Sequence, residues 1–470
     1  MQVLTDTPVE GAVAVRLAPG QAVKFVEKGE AEELHIGFGL PAQAGKELPL
    51  SRRKLIIFLR KIIATAKQQK LKNISLAWAD IRSLAAADVS DADLGELASV
   101  AFEMANFEFN IYKKVPESGF ATLDTVAVVG APQEAILGIK RGEIVGNEVN
   151  AARMLSNTPG GDMTPTHLAE AAREAVVGTE ATVEVFDAAQ MKKLGLRAVL
   201  GVAKGSIEEP KFIVIEYWGA EKTEKPIVLI GKGVTFDTGG LNIKTGDGMY
   251  EMHMDMSGGA AVIHATALAA KLGVKANIVA LIPAVENSPG GSSVRPGDIL
   301  TSLSGKTIEI LNTDAEGRVI MADAITYAKK YNPEVVLNVS TLTGAALTAL
   351  GLHASAIMSN DQKLEDLLRA KGEESGDYVW PFPLWEEYED MTRGHFGDVP
   401  NISTAGNSRY GGVIAGGMFL WQFARELNCP WAHIDMAPRM TSAPGEELAA
   451  GAAGAPVRLL ISIIEHYVKR

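Results

Sequence analysis

The 470-residue chain has a single cysteine, Cys429, and its eight histidines are scattered. An intramolecular disulfide is therefore impossible, and the sequence offers neither a thiolate cage nor a His-Glu-x-x-His helix for zinc. No apolar run reaches the roughly 20 residues that a membrane-spanning helix needs. The first ten residues also lack the basic-then-apolar pattern of a secretory signal. These absences predict a cytoplasmic protein with no membrane partner. Positive charge is in short supply: 45 Lys and Arg stand against 57 Asp and Glu, a net charge of −12. A sequence-independent nucleic-acid binder is normally basic, so the balance argues against that class. A local cluster (Arg52, Arg53, Lys54, Arg60, Lys61, Lys67, Lys70, Lys72) leaves room for a nucleic-acid contact. Its simpler reading is the solvated face of a helix whose other face carries Leu55, Ile56, Leu59, Ile62 and Ile63.

What is present describes an ordinary globular α/β protein, 47% hydrophobic and 22% charged, long enough for two cores. Residues 1–130 alternate strand-like runs (12–17, 33–38, 126–129) with helical patterns (53–69, 92–106), which reads as a smaller α/β domain. A helical stretch at 140–155 ends in the turn signal Asn157-Thr158-Pro159-Gly160-Gly161. The expected division is thus an N-terminal α/β domain over 1–157, including the connecting helix, and a catalytic domain over 158–470. In the second part, Val/Ile/Leu-rich runs at 182–186, 211–217, 227–230, 276–282, 307–311, 335–339 and 431–436 alternate with helical patterns that include 167–177, 259–272 and 319–330. That pattern predicts a mixed, mostly parallel sheet flanked by helices, with ligands beyond the carboxyl ends of its strands. The Gly-, Asn- and Ser-rich stretch 393–417 reads as one long loop. Within it, Asn407-Ser408-Arg409-Tyr410-Gly411-Gly412 is a candidate border of a substrate entrance or a subunit contact.

The densest chemistry lies in Asn312-Thr313-Asp314-Ala315-Glu316-Gly317-Arg318, where an apolar run ends. In extended chain, Asp314 and Glu316 point the same way and could share a hard cation. Arg318 could hold an anion through its fork of donors. The structural alternative is a solvated turn in which Asp314 only caps the following helix. A second stretch, Gly231-Lys232-Gly233-Val234-Thr235-Phe236-Asp237-Thr238-Gly239-Gly240, follows the run 226–230. It leads through Lys244 to Met252-His253-Met254-Asp255-Met256-Ser257-Gly258-Gly259.

With these two stretches the sequence closely resembles the leucine (cytosol) aminopeptidase family of two-metal exopeptidases, over roughly residues 150–470. The spacing matches as well: from Lys232 it is five residues to Asp237, twelve to Lys244, twenty-three to Asp255 and eighty-two to Asp314. The resemblance implies five metal ligands. Asp237 and Glu316 would bridge two divalent ions, Lys232 and Asp255 would complete the tighter site, and Asp314 the more exchangeable one. It also implies that Lys244 stabilises the oxyanion and that Arg318 holds a bicarbonate-like anion acting as base. Met252, Thr341, Gly344, Ala437 and Met440 would line the pocket for the first side chain. Zinc, manganese and magnesium all suit such a donor set. A ligating lysine must be neutral, so its pKa, ordinarily about 10.4, has to be displaced. Crowded carboxylates should raise one another's pKa values unless cations neutralise them.

The chain departs from the family pattern at Pro438, where a glycine is common after the alanine, and at Ser257, beside Asp255. His253 reads as structural rather than as a ligand. The implied activity is release of N-terminal residues, Leu- or Met-like by preference, from peptides with a free amino end, and the implied assembly is a homohexamer. Two other classes fit less well. A two-metal phosphoesterase would also use bridging carboxylates, but not a ligating lysine. A purely DNA-binding or structural relative would show degraded ligands, and none of the five is degraded here.

Overall fold

The computed structural model describes residues 1–5, 9–19, 23–28, 31–38, 49–405 and 410–468. Asn407, Ser408 and Arg409, singled out above, lie outside the described residues. The chain divides into two compact units. One comprises Met1–Asn150 with Ser442–Ala450; the other comprises Ala151–Thr441 with Gly451–Arg470.

In the first unit, β1 (Gln2–Thr5), β2 (Val13–Pro19), β3 (Val23–Lys28), β4 (Ala31–Phe38), β5 (Asn73–Ala77) and β6 (Thr125–Val129) form one sheet. Its order is β1-β6-β5-β2-β4-β3, with only β3 antiparallel to its neighbour. Helices α1 (Arg52–Gln68), α2 (Trp78–Leu84) and α3 (Asp91–Asn106) are followed by α4 (Gln133–Asn157). Helix α4 begins seven residues earlier than the pattern at 140–155 suggested. Leu55, Ile56, Leu59, Ile62 and Ile63 of α1 are buried in this unit's core, each contributing about 1.5–3 kcal/mol. The basic residues are not all on a solvated face, however. Arg60 is 4% exposed and donates to the Glu446 carbonyl, while Lys67 pairs with Glu108 at 2.6 Å. Long stems let such residues follow the apolar surface inward and spend their donors on buried oxygens. Helices α3 and α4 approach closely because α4 carries glycines every fourth residue: a Cβ at Gly142 would lie 2.8 Å from Ser99 Cβ, and one at Gly146 2.6 Å from Glu103 Cβ.

The second unit is built on a nine-stranded sheet. Its strands are numbered in a series that includes a small separate sheet: β7 (Thr182–Phe186), β8 (Lys211–Trp218), β9 (Ile227–Gly231), β10 (Gly233–Asp237), β11 (Asn277–Asn287), β12 (Ile299–Thr301), β13 (Thr307–Glu309), β14 (Val335–Ser340), β15 (Ser355–Ser359), β16 (Val379–Pro381), β17 (Val399–Pro400) and β18 (Trp431–Asp435). The large sheet runs β16-β15-β18-β14-β9-β11-β8-β7, with β10 pairing an extension of β11. Strands β18, β14, β9 and β11 form a parallel centre, and antiparallel pairings occur toward both sides. Every residue of β9, β14 and β18 is buried, which is why these strands read as mainly apolar runs without alternation. Helices α5 (Pro165–Ala175), α6 (Ala188–Leu194), α7 (Arg197–Ala203), α8 (Ser257–Lys271), α9 (Glu316–Ala328), α10 (Gly344–Leu350), α11 (Gln362–Ser375), α12 (Gly412–Ala424) and α13 (Val457–Val468) complete the unit.

Two sequence expectations change here. The run at 307–311 does not join the large sheet; it supplies β13 of the separate sheet β12-β13-β17. The stretch 393–417 is not one loop either, because β17 interrupts it and α12 begins at Gly412. Glycines that suggested a loop sit in the first turns of a helix packed tightly on its neighbours: a Cβ at Gly412 would lie 2.7 Å from Ala345 Cβ, and one at Gly416 3.0 Å from Thr343 Cγ2.

Candidate metal centre and its cleft

Four segments meet beyond the carboxyl ends of the central strands. Lys232 sits where β9 passes into β10. Its backbone N–H donates to the Val339 carbonyl at 2.9 Å, and its own carbonyl accepts from Gly259 at 2.7 Å. Asp237 ends β10, Asp255 stands just before α8, and Glu316 opens α9. All four side chains are nearly inaccessible, at 2–4% exposure. The carboxylates of Asp237, Asp255 and Glu316 each offer an oxygen within 4.8 Å of the other two.

Two ammonium groups lie among these acids. Lys232 Nζ is 2.7 Å from Asp255 Oδ2 and 2.8 Å from Glu316 Oε1, and it donates to the Thr341 carbonyl at 3.1 Å. Lys244 Nζ is 2.8 Å from Asp237 Oδ2 and 2.5 Å from Asp314 Oδ1. Burial opposes a charge on Lys232, but Asp255, Glu316 and Asp237 outweigh it and raise its pKa. Lys244 is raised in the same way, chiefly by Asp237 and Glu316 against its own burial. Asp237 is pushed up to about 8 by burial and by the Glu316 and Asp255 charges. Asp255 rises to about 6, mainly through burial. Glu316 departs from the expected mutual elevation: burial pushes it up, yet the Lys232 and Lys244 charges hold it below the usual range.

The turn carrying Asp314 differs from the extended arrangement expected. Asp314 lies in a turn and Glu316 is already helical, so their approach comes from the chain folding back rather than from strand alternation. Asp314 does not cap α9 either; the cap position is Ala315, with no side-chain bond. Gly239 adopts φ +86°, and a Cβ there would meet Asn242 O at 2.5 Å and Asp314 Oδ1 at 2.9 Å. Only glycine combines that backbone with so close an approach.

The acidic group opens into a cleft of about 1000 Å³. Its walls include Lys232, Asp237, Lys244, Asp255, Asp314 and Glu316 together with Met252, Thr341, Gly344, Ala437 and Met440. Arg318 is the one candidate outside this lining. It is buried on α9, donates from Nη1 to the Asn401 carbonyl at 2.9 Å, and has an Nε without a partner. Burial lowers its pKa to about 10. His253 is not part of the lining. At the two departures from the family pattern, the Ser257 hydroxyl donates to the Met254 carbonyl at 2.6 Å, and Pro438 sits in the short turn of helix Ala437–Arg439.

Three residues brace the ligands, and two of them, Asn287 and Asn401, had no motif to mark them. Asn287 donates to Asp237 Oδ1 at 2.7 Å and to the Thr313 carbonyl at 3.0 Å. The only sign of it was a polar residue at the end of an apolar run, just before Pro289-Gly290-Gly291. The Thr341 hydroxyl donates to Asp255 Oδ1 at 2.7 Å. Asn401 accepts from the N–H groups of Leu311 and Asn312 at 2.8 and 3.2 Å, bracing the turn that precedes Glu316.

The donor chemistry fits divalent cations. Four carboxylates, Asp237, Asp255, Asp314 and Glu316, stand against two ammonium groups, Lys232 at 2.7 Å from Asp255 Oδ2 and Lys244 at 2.5 Å from Asp314 Oδ1. Crowded carboxylates of which three are buried within 4.8 Å of one another are stabilised by cations, so this set suits a further one. Residues 150–461 match the cytosol aminopeptidase family, catalytic domain. The chain belongs to that family. It is thereby a metallo-exopeptidase of the leucyl aminopeptidase type. A probable cytosol aminopeptidase of Syntrophotalea carbinolica is 39% identical, with 98% of this chain and 94% of that protein aligned. One from Azoarcus sp. is 37% identical over 96% of this chain and 91% of its own length. One from Nitrosococcus oceani is 47% identical over 69% of this chain; the chain spans 63% of that relative's length. Among solved structures, the bottromycin maturation enzyme BotP in complex with Mn is similar at 28% identity and TM-score 0.84. The match covers 97% of this chain and 100% of that one. Among the described residues no helix is long and apolar enough to cross a membrane.

Proposed function

We propose that this protein releases N-terminal residues from peptides with a free amino end, preferring Leu- and Met-like side chains. The carrying observation is the buried trio Asp237, Asp255 and Glu316, whose oxygens can converge on one point in a chain of this family. Lys232, as a neutral amine, Asp237, Asp255, Asp314 and Glu316 would hold two divalent ions, manganese or zinc. When bound, such ions supply Lewis acidity toward the scissile carbonyl and make a nearby water more acidic.

The chain's own side chains do the rest. Lys244 reaches the cleft as an ammonium and is placed to meet the negative charge that develops on the carbonyl oxygen. Arg318 is the residue that would hold a bicarbonate-like anion, and its unpartnered Nε suits an anionic oxygen. Met252 and Met440 with Thr341, Gly344 and Ala437 form a deformable apolar wall for the first side chain. A cytoplasmic location and a homohexameric assembly are part of the same proposal, supported by the family resemblance alone. The acidic net charge, with Arg60 and Lys67 engaged internally, gives no support to a nucleic-acid partner.

The experiment compares leucine amide with N-acetyl-leucine amide. The free amine should be cleaved and the acetylated analogue should not, since acetylation removes the lone pair that positions the substrate. Equal rates would point to an endopeptidase or amidase instead.

A further inference from the structure

Asp435 ends β18 with no exposed surface, beside Ser340 at the end of β14. It does not line the cleft, yet it binds two segments that do. Its Oδ1 accepts the N–H groups of Leu342 at 3.0 Å, Thr343 at 3.4 Å and Ala437 at 3.2 Å. Its Oδ2 accepts the Thr343 hydroxyl at 2.6 Å. That hydroxyl oxygen in turn accepts the Ala346 N–H at 3.1 Å, fixing the start of α10. One carboxylate therefore joins the loop after β14 to the turn after β18. Thr341, Leu342, Thr343 and Gly344 on the first, and Ala437 and Met440 on the second, are cleft wall.

All four groups facing Asp435 are donors. A carboxylate is acceptor-only, whereas an amide of the same shape would turn at least one donor toward a donor. The buried position otherwise favours a neutral residue, and an apolar side chain would leave three backbone N–H groups unpaired. Among the described residues no cation pairs with it directly; Arg318, buried on α9, is near enough to feel its charge.

We propose that Asp435 is a positioning residue for specificity: it sets the distance between the two walls of the pocket for the first side chain. The inference rests on the aminopeptidase reading of that cleft. Displacing one wall should cost binding of side chains that fill the pocket more than of those that do not. A single methylene in an apolar pocket is worth roughly 10–200-fold in kcat/KM.

The test measures kcat and KM on leucine, methionine and alanine amides for the wild type, Asp435→Asn, Thr343→Val and Thr343→Ser, with bound metal and thermal melting alongside. In Asp435→Asn and Thr343→Val the leucine-to-alanine ratio of kcat/KM should fall by about 10-fold. Most of the change should be in KM, with metal content at the wild-type level. Thr343→Ser, which keeps the hydroxyl, should restore the ratio. An unchanged ratio in either variant, or an equal kcat loss on all three amides, would overturn the proposal. Failure of both variants to fold would overturn it too, because the role would then be to hold the fold. A wild type that cleaves none of the amides would instead overturn the underlying reading of the cleft.

Discussion

Gly317→Ala is a change of one methyl group that should disable the centre without replacing a ligand. Gly317 follows Glu316 in the first turn of α9, and the Lys232 side chain crosses directly over it. A Cβ at this position would lie 2.6 Å from Lys232 Nζ and 2.9 Å from its Cδ, with Cε nearer still. Ordinary carbon contacts are about 3.5–4.0 Å, so the lysine tip would have to move by about 1 Å. A surface lysine could do so freely. Lys232 cannot, because its ammonium is held by Asp255 at 2.7 Å, Glu316 at 2.8 Å and the Thr341 carbonyl at 3.1 Å in a site that is 3% exposed. Overpacking of this kind costs about 1–3 kcal/mol of stability. A 1 Å misplacement of a reacting group costs about 10²-fold in rate. Steady-state kinetics on leucine amide, thermal melting and elemental analysis of bound metal would be run together. The expected result is a folded protein, melting a few degrees lower, with kcat reduced about 10²-fold. Wild-type turnover in a folded Gly317→Ala protein would refute the claim that Lys232 works from this position.

Lys244→Ala should lower kcat by roughly 10²–10³-fold with a smaller change in KM, because its ammonium meets charge that develops only in the transition state. Arg318→Ala should be milder and should lose any stimulation by added bicarbonate; an unchanged kcat in the first, or a full bicarbonate response in the second, would remove that residue's role. The stability contributed by His433 should fall as pH is lowered from about 7.5 to 5. Burial, with the Arg318 charge opposing protonation, drives the His433 pKa down from its ordinary 6.5 to about 3. The unfolded chain therefore takes up a proton that the folded protein refuses; the contribution is complete above 6.5 and is lost as pH falls toward 3. Between pH 7.5 and 5 the loss is about 2 kcal/mol. Urea unfolding at both values should show His433→Asn losing less than the wild type, and equal losses would refute the assignment. The comparison must be between variants, because Asp323, raised to about 7 by burial, acts in the opposite sense: its contribution is present at low pH and is lost as pH rises toward 7.

The parts of the site that were legible from sequence are those carried on short stretches. Residues 231–240, 252–259 and 312–318 each hold two or more chemically committed side chains close together in the chain, so the sequence exposes them directly. The central strands were legible for a related reason: burial on both faces leaves β9, β14 and β18 no freedom to alternate. What the sequence leaves unmarked depends on meetings between distant segments. Asn287, Asn401 and Asp435 are single polar residues at strand ends or in loops, and their partners lie many residues away. Nothing in their own neighbourhoods distinguishes a brace from a surface residue. The same limit explains Arg60, whose charge suggested solvent while its stem leads into the core. It explains the glycines of α12 as well, which composition assigns to a loop and close packing turns into a helix. Asp314 and Glu316 do not follow strand alternation because the strand stops at Glu309 and the chain turns at Asp314.

The central claim is that Lys232, Asp237, Asp255, Asp314 and Glu316 form one two-ion centre on which hydrolysis depends. The most direct measurement strips the protein with a chelator, then restores manganese stepwise while bound metal and leucine amide turnover are followed in wild type and Glu316→Gln. The account predicts no turnover in the stripped protein, recovery as two ions per chain are taken up, and neither full uptake nor turnover in Glu316→Gln. Full activity in the stripped wild type, or near-wild-type turnover in metal-loaded Glu316→Gln, would contradict it.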